Sequence, residues 1–328
     1  MELFADIPTQ YADFAAHADG SPCFEAWARG VVEDPEVQAW VRTLPGIKQQ
    51  PNLVFAAARW HGVPAPGPYA GLREALLADD AGGGPIRATI MQRATQTNEV
   101  GRLATLTPVL ARVAQEAGRP LALLEAGASA GLCLYPDRWS YAWPGVGALA
   151  GPGPLLRCEV TGPMPLPAAL PEVAWRGGLD LHPLSVADAD QMAWLANLVW
   201  PEQDDRRARL EQAVAIAAAD PPHLVAGDLL DDLPALVEEA ASYGEVVVFH
   251  SAVLAYVDDP GRRRFERLMA RLVGEGRCRW VSNEGGRVLP GVAATGPAVP
   301  DDVASFVLGL DGQAVAWTHG HGSSMRWL

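Results

Sequence analysis

The sequence predicts an α/β protein in which an all-helical N-terminal region precedes a doubly wound, mostly parallel sheet that ends in an antiparallel hairpin. Through the first 118 residues, apolar side chains recur three and four positions apart, which is the period of an amphipathic helix. Beyond Gly118, short apolar runs alternate with helical segments, a pattern typical of parallel strands joined by crossover helices. We therefore predict two domains, residues 1–118 and 119–328.

Proline and glycine mark the limits of the predicted N-terminal helices. Pro35 and Pro51 stand where a helix should begin or end. Residues 78–85 contain three consecutive glycines and predict a flexible loop. A long helical segment then runs from about Ile86 to Ala117, and Pro108 predicts an interruption within it.

The second half of the chain supplies the predicted sheet. Strand-like apolar runs occupy residues 121–124, 173–181, 223–226, 245–249 and 277–282, and helical spacing occurs in 186–199, 204–219 and 262–273. Residues 304–317 contain Asp311-Gly312 between two apolar runs and predict the antiparallel hairpin. Residues 136–172 are rich in proline and glycine, which predicts an irregular or β-rich insertion near the first strand–helix unit.

Charge and cysteine content exclude several classes of partner and site. A net charge of −14 argues against nucleic acid as a direct partner, since an acidic chain repels a phosphate backbone. The densest group of basic residues lies in residues 262–271, where arginines alternate with apolar residues at helical spacing. We interpret these arginines as the solvent-exposed face of an amphipathic helix. The four cysteines form no C-x-x-C pair, which argues against a zinc ribbon or a disulfide scaffold. With no basic leader and no run of about 18 apolar residues, we expect a cytoplasmic protein without a membrane span.

One stretch, residues 123–132, fits two different motifs. Gly127-x-Ser129-x-Gly131 matches the turn that presents a hydrolase's nucleophilic serine. Glu125-x-Gly127-x-x-x-Gly131 follows an apolar run and matches the small-residue loop beneath a nucleotide-like cofactor, in the form seen in adenosylmethionine sites. We favour the cofactor loop because the preceding region is helical, whereas a nucleophile elbow follows earlier strands. The simpler alternative is that both glycines only permit a tight turn.

Polar residues also end the other predicted strands. Ligands of open α/β sheets bind outside the carboxyl ends of the strands. Asp180 ends the second strand, where a carboxylate can accept both ribose hydroxyls, and Asp228 follows the third, where an acid can meet an adenine edge. His250 and Glu284 end the fourth and fifth. Each alone is equally explained as a helix cap or a loop acid, but the succession favours a ligand site.

Several segments together resemble a known family. The most distinctive are Gln96-Thr-Asn-Glu-Val-Gly-Arg102, Glu125-Ala-Gly-Ala-Ser-Ala-Gly-Leu132, Asp180-Leu-His-Pro-Leu184, Gly227-Asp228 and Phe249-His-Ser-Ala-Val-Leu254. In these the chain resembles a bacterial, mainly actinobacterial, domain-of-unknown-function family with a class I S-adenosylmethionine-dependent methyltransferase-like fold. Cys133 departs from the family pattern, where asparagine is expected, so a polar contact near the cofactor loop is missing.

The resemblance implies a cofactor and a set of roles. S-adenosylmethionine, with S-adenosylhomocysteine as product, would be held by Glu125, Gly127, Ser129, Gly131, Asp180 and Asp228, and a substrate by Gln96, Asn98, Arg102 and Glu284. His250 is the candidate general base, because imidazole titrates in the useful range, and Glu99 and Tyr256 are further catalytic candidates. An equal alternative makes His250 a satisfied core histidine. His319-Gly-His321 lacks a third ligand, so no metal is predicted.

The function expected from the sequence is methyl transfer from S-adenosylmethionine to a small molecule, with the helical region as a lid or substrate platform. A second hypothesis is a non-catalytic or regulatory protein that binds a nucleoside-type ligand on the same scaffold. A third is a serine hydrolase that uses Ser129. The acceptor and the oligomeric state stay open.

Overall fold

The computed structural model describes residues 6–18, 20–79, 83–96, 98–299 and 306–328. The chain divides into two compact units. The first unit comprises residues 1–97 and 189–208, and the second comprises residues 98–188 and 209–328. Part of the predicted flexible loop, residues 80–82, lies outside the described residues.

Twelve α-helices occur in the described chain. They are α1 (Ile7–Ala16), α2 (Pro22–Glu33), α3 (Pro35–Arg42), α4 (Pro51–Trp60), α5 (Tyr69–Ala78), α6 (Pro85–Gln92), α7 (Leu103–Ala117), α8 (Ala189–Leu198), α9 (Asp204–Ala219), α10 (Leu233–Ala240), α11 (Asp259–Gly274) and α12 (Pro290–Ala293). Proline opens α2, α3, α4 and α6, where the missing N–H would be unpaired in any case. None of the described helices is long and apolar enough to cross a membrane.

The first unit is helical, as its sequence pattern predicted. Ser21 caps α2 by accepting the Phe24 N–H, and Asp34 caps α3 by accepting the N–H groups of Glu36 and Val37. Its core is aromatic, with Phe24, Trp27 and Phe55 packed in stacked and edge-to-face contacts. This core lets several short helices bury their apolar faces together.

The second unit is built on a large mixed sheet. Its strands are β1 (Leu121–Ala126), β2 (Ser140–Trp143), β3 (Gly147–Leu149), β4 (Leu155–Arg157), β5 (Glu159–Thr161), β6 (Val173–Asp180), β7 (His223–Ala226), β8 (Glu245–Ser251), β9 (Arg279–Gly285), β10 (Phe306–Leu310), β11 (Gln313–Thr318) and β12 (Ser324–Trp327). Nine of them form one sheet in the order β5-β12-β11-β10-β9-β8-β1-β6-β7, and β3-β2-β4 form a small second sheet.

The large sheet has a parallel half and an antiparallel half. β7, β6, β1, β8 and β9 pair in parallel, and β9 to β12 pair in antiparallel fashion. This confirms the predicted mixed α/β architecture with a mostly parallel sheet and C-terminal antiparallel strands. Asp311 and Gly312 both have left-handed backbone angles (φ 49° and 81°), which is the geometry that a two-residue hairpin turn requires. Residues 304–305 of the predicted hairpin lie outside the described residues.

The helical segment predicted for residues 86–117 is broken in a different place from the one expected. α6 ends at Gln92, a non-helical stretch and a 3₁₀ turn (Val100–Arg102) follow, and α7 then continues through Pro108. Proline removes the bond to the carbonyl four residues earlier, which is that of Ala104. That carbonyl accepts the Trp143 indole N–H at 2.8 Å instead, so the helix does not need to stop at Pro108.

The connection from β1 to β6 contains no α-helix within residues 127–172, all of which are described. Two 3₁₀ turns, Leu132–Leu134 and Pro136–Arg138, precede β2 to β5. The glycine loop is therefore followed by 3₁₀ turns and not by the α-helix that usually follows such a loop, and the strands β2 to β5 agree with the β-rich insertion predicted for residues 136–172. Residues 132–134 are buried, and Pro136 disfavours a helical residue before it, so this segment has neither a polar face nor the length for a surface helix.

Candidate functional site

The strand order of the large sheet reverses at the carboxyl ends of β1 and β8. Counted along the chain, the parallel strands lie in the order third, second, first, fourth, fifth, so the direction of the order reverses between β1 and β8. Ligands of open α/β sheets bind at this reversal, outside the carboxyl ends of the strands. The loops that follow Ala126 and Ser251 therefore form the candidate site.

The loop after β1 is tightly constrained by its glycines. Gly127, Ser129 and Gly131 all have left-handed backbone angles (φ 76°, 52° and 69°), which disfavours ordinary side chains. A Cβ at Gly127 would also lie 2.2 Å from Val253 Cγ2, in the loop after β8. Glycine at this position is thus required by the turn and by packing against the second loop, as the simpler interpretation of the motif expected.

Asn98 fixes the same loop from outside the sheet. Its amide Nδ2 donates to the Ala128 carbonyl at 3.0 Å, and its Oδ1 accepts the N–H groups of Ala130 (3.0 Å) and Leu132 (3.2 Å). The Asn98 side chain therefore holds the glycine loop in shape, and its contact with a substrate stays a prediction. No helix supplies those backbone groups with partners, so a side chain must do so.

Asp180 and Asp228 lie at the predicted strand ends and make local bonds there. Asp180 Oδ2 accepts the Ser129 N–H at 2.8 Å, and its Oδ1 accepts the His182 N–H at 2.9 Å. Asp228 is exposed, and its Oδ1 accepts the Leu230 N–H at 2.7 Å. Each oxygen retains a lone pair, so both carboxylates can still accept bonds from a ligand.

Two polar side chains of the β1 end are buried without partners. Glu125 is 4% exposed, and neither its Oε2 nor the Ser129 Oγ has a hydrogen-bond partner in the described structure. Desolvation raises the pKa of Glu125 well above its usual value; Asp180 reinforces the rise and the positive charge of Arg102 opposes it. Burying a polar atom without a hydrogen-bond partner costs free energy, and other described residues, such as Glu284 and Ser282, share this feature, so the two atoms at the β1 end support a ligand site only together with its strand topology.

His250 is fully buried and has both ring nitrogens engaged. Its Nε2 accepts the Trp280 indole N–H at 3.0 Å, and its Nδ1 lies 2.8 Å from Glu284 Oε1. Because an indole can only donate, Nε2 must be the unprotonated nitrogen and Nδ1–H must donate to the carboxylate. The ring has no nitrogen left for a substrate, and this geometry matches the alternative of a satisfied core histidine. His250 is therefore better explained as a core histidine than as a general base.

Glu284 organises the loop after β8. Besides His250, its Oε1 accepts the N–H groups of Val253 (3.0 Å) and Leu254 (3.2 Å), while its buried Oε2 has no partner in the described structure. Ala252, in the same loop, has a left-handed backbone (φ 58°), a strained conformation for a non-glycine residue. Strained backbone thus occurs on both sides of the reversal point, at Ser129 and at Ala252.

Tyr256 is presented by this second loop. It is 43% exposed, yet desolvation raises the pKa of its hydroxyl, with Arg102 and Glu284 acting on it in opposite directions. Tyr256 therefore remains a candidate for contact with a substrate.

Arg102 is the last residue of the 3₁₀ turn before α7, and Glu99 is the N-cap of that turn. Arg102 is 7% exposed; its Nε donates to the Gly320 carbonyl at 2.7 Å and its Nη1 to the Ser251 carbonyl at 3.1 Å. Glu99 accepts the Gly101 N–H at 3.0 Å and lies 3.3 Å from Arg209 Nη1. Glu99 therefore has structural partners, whereas Arg102 adjoins the end of β8.

A family model described as uncharacterized proteins conserved in bacteria, DUF2332, matches residues 63–327. The chain belongs to this DUF2332 family. No curated protein and no solved structure matches the chain.

The remaining predicted residues of this DUF2332 protein are Gln96 and the His319–His321 pair. Gln96 belongs to the first unit, and its contact with a substrate stays a prediction. His319 Nδ1 accepts the His321 N–H at 3.1 Å, and no group of three potential metal ligands occurs among the described residues.

Sequence reasoning missed two contributors, Trp280 and Val253. Both are apolar residues in apolar runs, so no local pattern indicates that Trp280 supplies the N–H that fixes the His250 tautomer. Nor does any pattern show that Val253 fills the space beside Gly127. Both depend on the register of neighbouring strands.

Proposed function

We propose that this DUF2332 protein binds S-adenosylmethionine at the carboxyl ends of β1, β6 and β7 and transfers its methyl group to a small molecule. The observation that carries the proposal is the pair of unpartnered buried atoms, Glu125 Oε2 and Ser129 Oγ, in a strained loop at the reversal of strand order. Crevices at that point are where this kind of sheet binds ligands.

The loop favours a sulfonium cofactor over a dinucleotide. A pyrophosphate depends on the N–H groups and the positive end of a helix after the first strand, and here 3₁₀ turns replace that helix. The neighbouring Asp180 and Asp228 carboxylates repel phosphate and attract a positively charged ligand. A nucleoside with a cationic side chain fits this electrostatic environment.

The residues at the strand ends offer suitable contacts for such a cofactor. Asp180 has free lone pairs for ribose hydroxyls, and Asp228 lies exposed at the next strand end. Leu181, beside Asp180, is 64% exposed, and a flat ring stacked over it would remove that apolar surface from water. The cofactor supplies an activated methyl group, and the protein's part is to align the acceptor with it.

Catalysis in this proposal relies on alignment more than on a proton acceptor. His250 has no free nitrogen, so an acceptor that attacks as an anion or a thiolate fits better than one that must lose a proton to His250. Tyr256 and Arg102, which act on each other electrostatically, are the side chains proposed to contact the acceptor.

A non-catalytic nucleoside-binding protein is the second candidate. The engagement of both His250 nitrogens favours it, because the β8 end then offers no obvious base. The serine hydrolase is not proposed. Ser129 Oγ is buried without a hydrogen-bond partner in the described structure, so no histidine is in place to activate it.

Calorimetric titration of matched variants with S-adenosylhomocysteine tests the proposal. Asp228→Asn should weaken binding by about tenfold, because one ligand contact is lost. Asp231→Asn is the control, since Asp231 is an exposed acid three residues away that pairs with Arg264. Equal affinities for both variants and the wild type, or no binding to any of them, would contradict the proposed site. Binding without methyl transfer across a broad panel of acceptors would favour the second candidate.

A further inference from the structure

A cavity of about 660 Å³ lies at the amino end of β1, at the other end of that strand from the reversal point. One wall is formed by α7 residues between Pro108 and Gln115, and the other by the proline-rich segment of residues 165–170. Arg119 and Pro120, which directly precede β1, also line it. Since β1 has six residues, about 17 Å separates the two ends of the strand.

The lining of this cavity is mainly apolar. Alanine and proline side chains occur in both walls, and Leu166 in the second wall is 45% exposed. Cavities of about 300–1,000 Å³ with apolar walls and a few polar groups are the usual form of small-molecule sites. An apolar ligand that covers Leu166 would remove its surface from water. Size and lining together fit a small molecule with an apolar body.

The charged side chains of the lining give the cavity a positive balance. They are Arg112, Arg119 and Glu172, in a chain whose net charge is −14. Arg112 uses only Nε, for Glu116, and Arg119 uses Nε and Nη2, for Glu245. Their other guanidinium nitrogens form no hydrogen bond within the described residues. Exposed ion pairs of this kind contribute little to stability, so both arginines can also bind an anion that enters the cavity.

The direction of α7 favours an anion with a single charge. The helix ends at Ala117, so its last turn, the negative end of the helix dipole, lies at the cavity. That end repels a phosphate dianion, and phosphate sites use the opposite end of a helix. A guanidinium fork, by contrast, matches the two oxygens of a carboxylate. The ligand should therefore combine one carboxylate with an apolar body.

We propose that this cavity binds a small organic acid with one carboxylate and an apolar chain or ring. The carboxylate accepts hydrogen bonds from Arg112 and Arg119, and the apolar body packs between α7 and residues 165–170. The inference goes beyond the proposed function, because the adenosyl ligand is placed at the other end of β1.

Calorimetric titration with octanoate tests the site, with 1-octanol and octylammonium as probes that carry the same chain without the negative charge. Arg112→Gln and Arg119→Gln each remove one cation from the lining, and Ala168→Trp puts a bulky ring into the wall at an exposed position. Arg29→Gln is the matched control, since Arg29 forms an exposed ion pair with spacing i,i+4 on α2 as Arg112 does on α7.

Wild type should bind octanoate with a dissociation constant of about 1 mM or tighter, and at least about tenfold more tightly than 1-octanol or octylammonium. Arg112→Gln, Arg119→Gln and Ala168→Trp should each weaken octanoate binding by at least about fivefold, and Arg29→Gln should match wild type. Glu245→Gln should strengthen it, because Arg119 then loses its one acidic partner in the described chain.

The proposal is overturned if octanoate does not bind at about 10 mM, if the three probes bind equally, or if folded Arg112→Gln and Arg119→Gln retain the wild-type affinity. Saturating S-adenosylhomocysteine should leave the octanoate affinity unchanged, and competition between the two would contradict a separate cavity. Octanoate binding is measured without any methyl transfer, so failure of the proposed function and failure of this inference can be told apart.

Discussion

At the scale of single residues, the Glu125 carboxyl shows how a site group can oppose stability. Burial raises its pKa in the folded protein above the unfolded value of about 4.5, so the folded state retains the proton to higher pH. Stability due to this group therefore falls as pH rises from about 4.5 through the folded-state pKa. Arg102, Asp180 and the Cys133 thiol are the charged or titratable groups that interact with it.

Glu125→Gln should accordingly stabilise the protein against urea at neutral pH. We expect a gain on the order of 1–3 kcal/mol, because an uncompensated buried carboxyl is removed. The gain should shrink as pH falls below about 4.5, where both states are protonated. Glu116→Gln is the control and should lower the free energy of unfolding at neutral pH, because Arg112 and Arg279 hold the pKa of Glu116 below its usual value. A loss of stability in Glu125→Gln at neutral pH would contradict the account.

A second prediction at this scale concerns the buried Trp280–His250–Glu284 chain. Trp280→Phe keeps the aromatic packing and leaves His250 Nε2 without a donor, which should cost about 1–3 kcal/mol in the free energy of unfolding. The measurement is urea denaturation: the midpoint should fall, while the dependence of the unfolding free energy on urea concentration stays unchanged. Trp317→Phe is the comparison, because the Trp317 indole donates no hydrogen bond within the described residues. Equal effects of the two substitutions would argue against the bond.

At the scale of elements, the loop between β1 and the first 3₁₀ turn depends on Asn98. Asn98→Ala removes three hydrogen bonds to residues 128–132, and we expect faster hydrogen exchange at the Ala130 and Leu132 amides. Asn98→Asp is the matched variant: it keeps an oxygen that accepts the Ala130 and Leu132 N–H groups, and it replaces the donor to the Ala128 carbonyl with a charged oxygen. Exchange in Asn98→Ala no faster than in the wild type would mean that the loop is held by something else.

A second element-scale prediction concerns the continuity of α7 through Pro108. Trp143→Phe leaves the Ala104 carbonyl without its donor and should destabilise the protein by about 1–3 kcal/mol. Pro108→Ala restores a backbone N–H that can donate to that carbonyl, so the cost of Trp143→Phe should be smaller in a Pro108→Ala background. A double-mutant cycle measures this coupling, and additive effects would contradict it.

These elements also show what the sequence can predict. The hairpin follows from Asp311-Gly312, and the parallel strands follow from apolar runs flanked by glycine, because both signals are local. The passage of α7 through Pro108 depends on a tryptophan 35 positions away in sequence from that proline, and such a contact leaves no local pattern. The glycine motif after β1 usually precedes an α-helix, and no local pattern indicates that 3₁₀ turns follow it here.

The candidate site, like the fold, could be predicted from the sequence only in part. Strand periodicity placed Asp180, Asp228 and Glu284 at the correct edge of the sheet, since carboxyl ends of parallel strands share one edge. It did not reveal which oxygen atoms were already used by backbone N–H groups. Nor did it separate a catalytic His250 from one satisfied by Trp280 and Glu284, because that distinction depends on register between β8 and β9.

At the scale of the whole molecule, the chain combines a helical unit with a unit built on the nine-stranded sheet. Every residue of β1 is buried. Glu125 is the next-to-last residue of this inner strand, so it lies near the point where the strand order reverses. Residues 98–102, which follow the helical unit in sequence, belong to the sheet unit and fix its first loop and Arg102. The central claim is that this reversal point binds an adenosyl ligand.

Isothermal titration of the wild-type protein with S-adenosylhomocysteine tests that claim most directly. We predict one site per chain with a dissociation constant of about 100 µM or tighter. No heat of binding at about 1 mM ligand, with the protein shown to be folded, would contradict it.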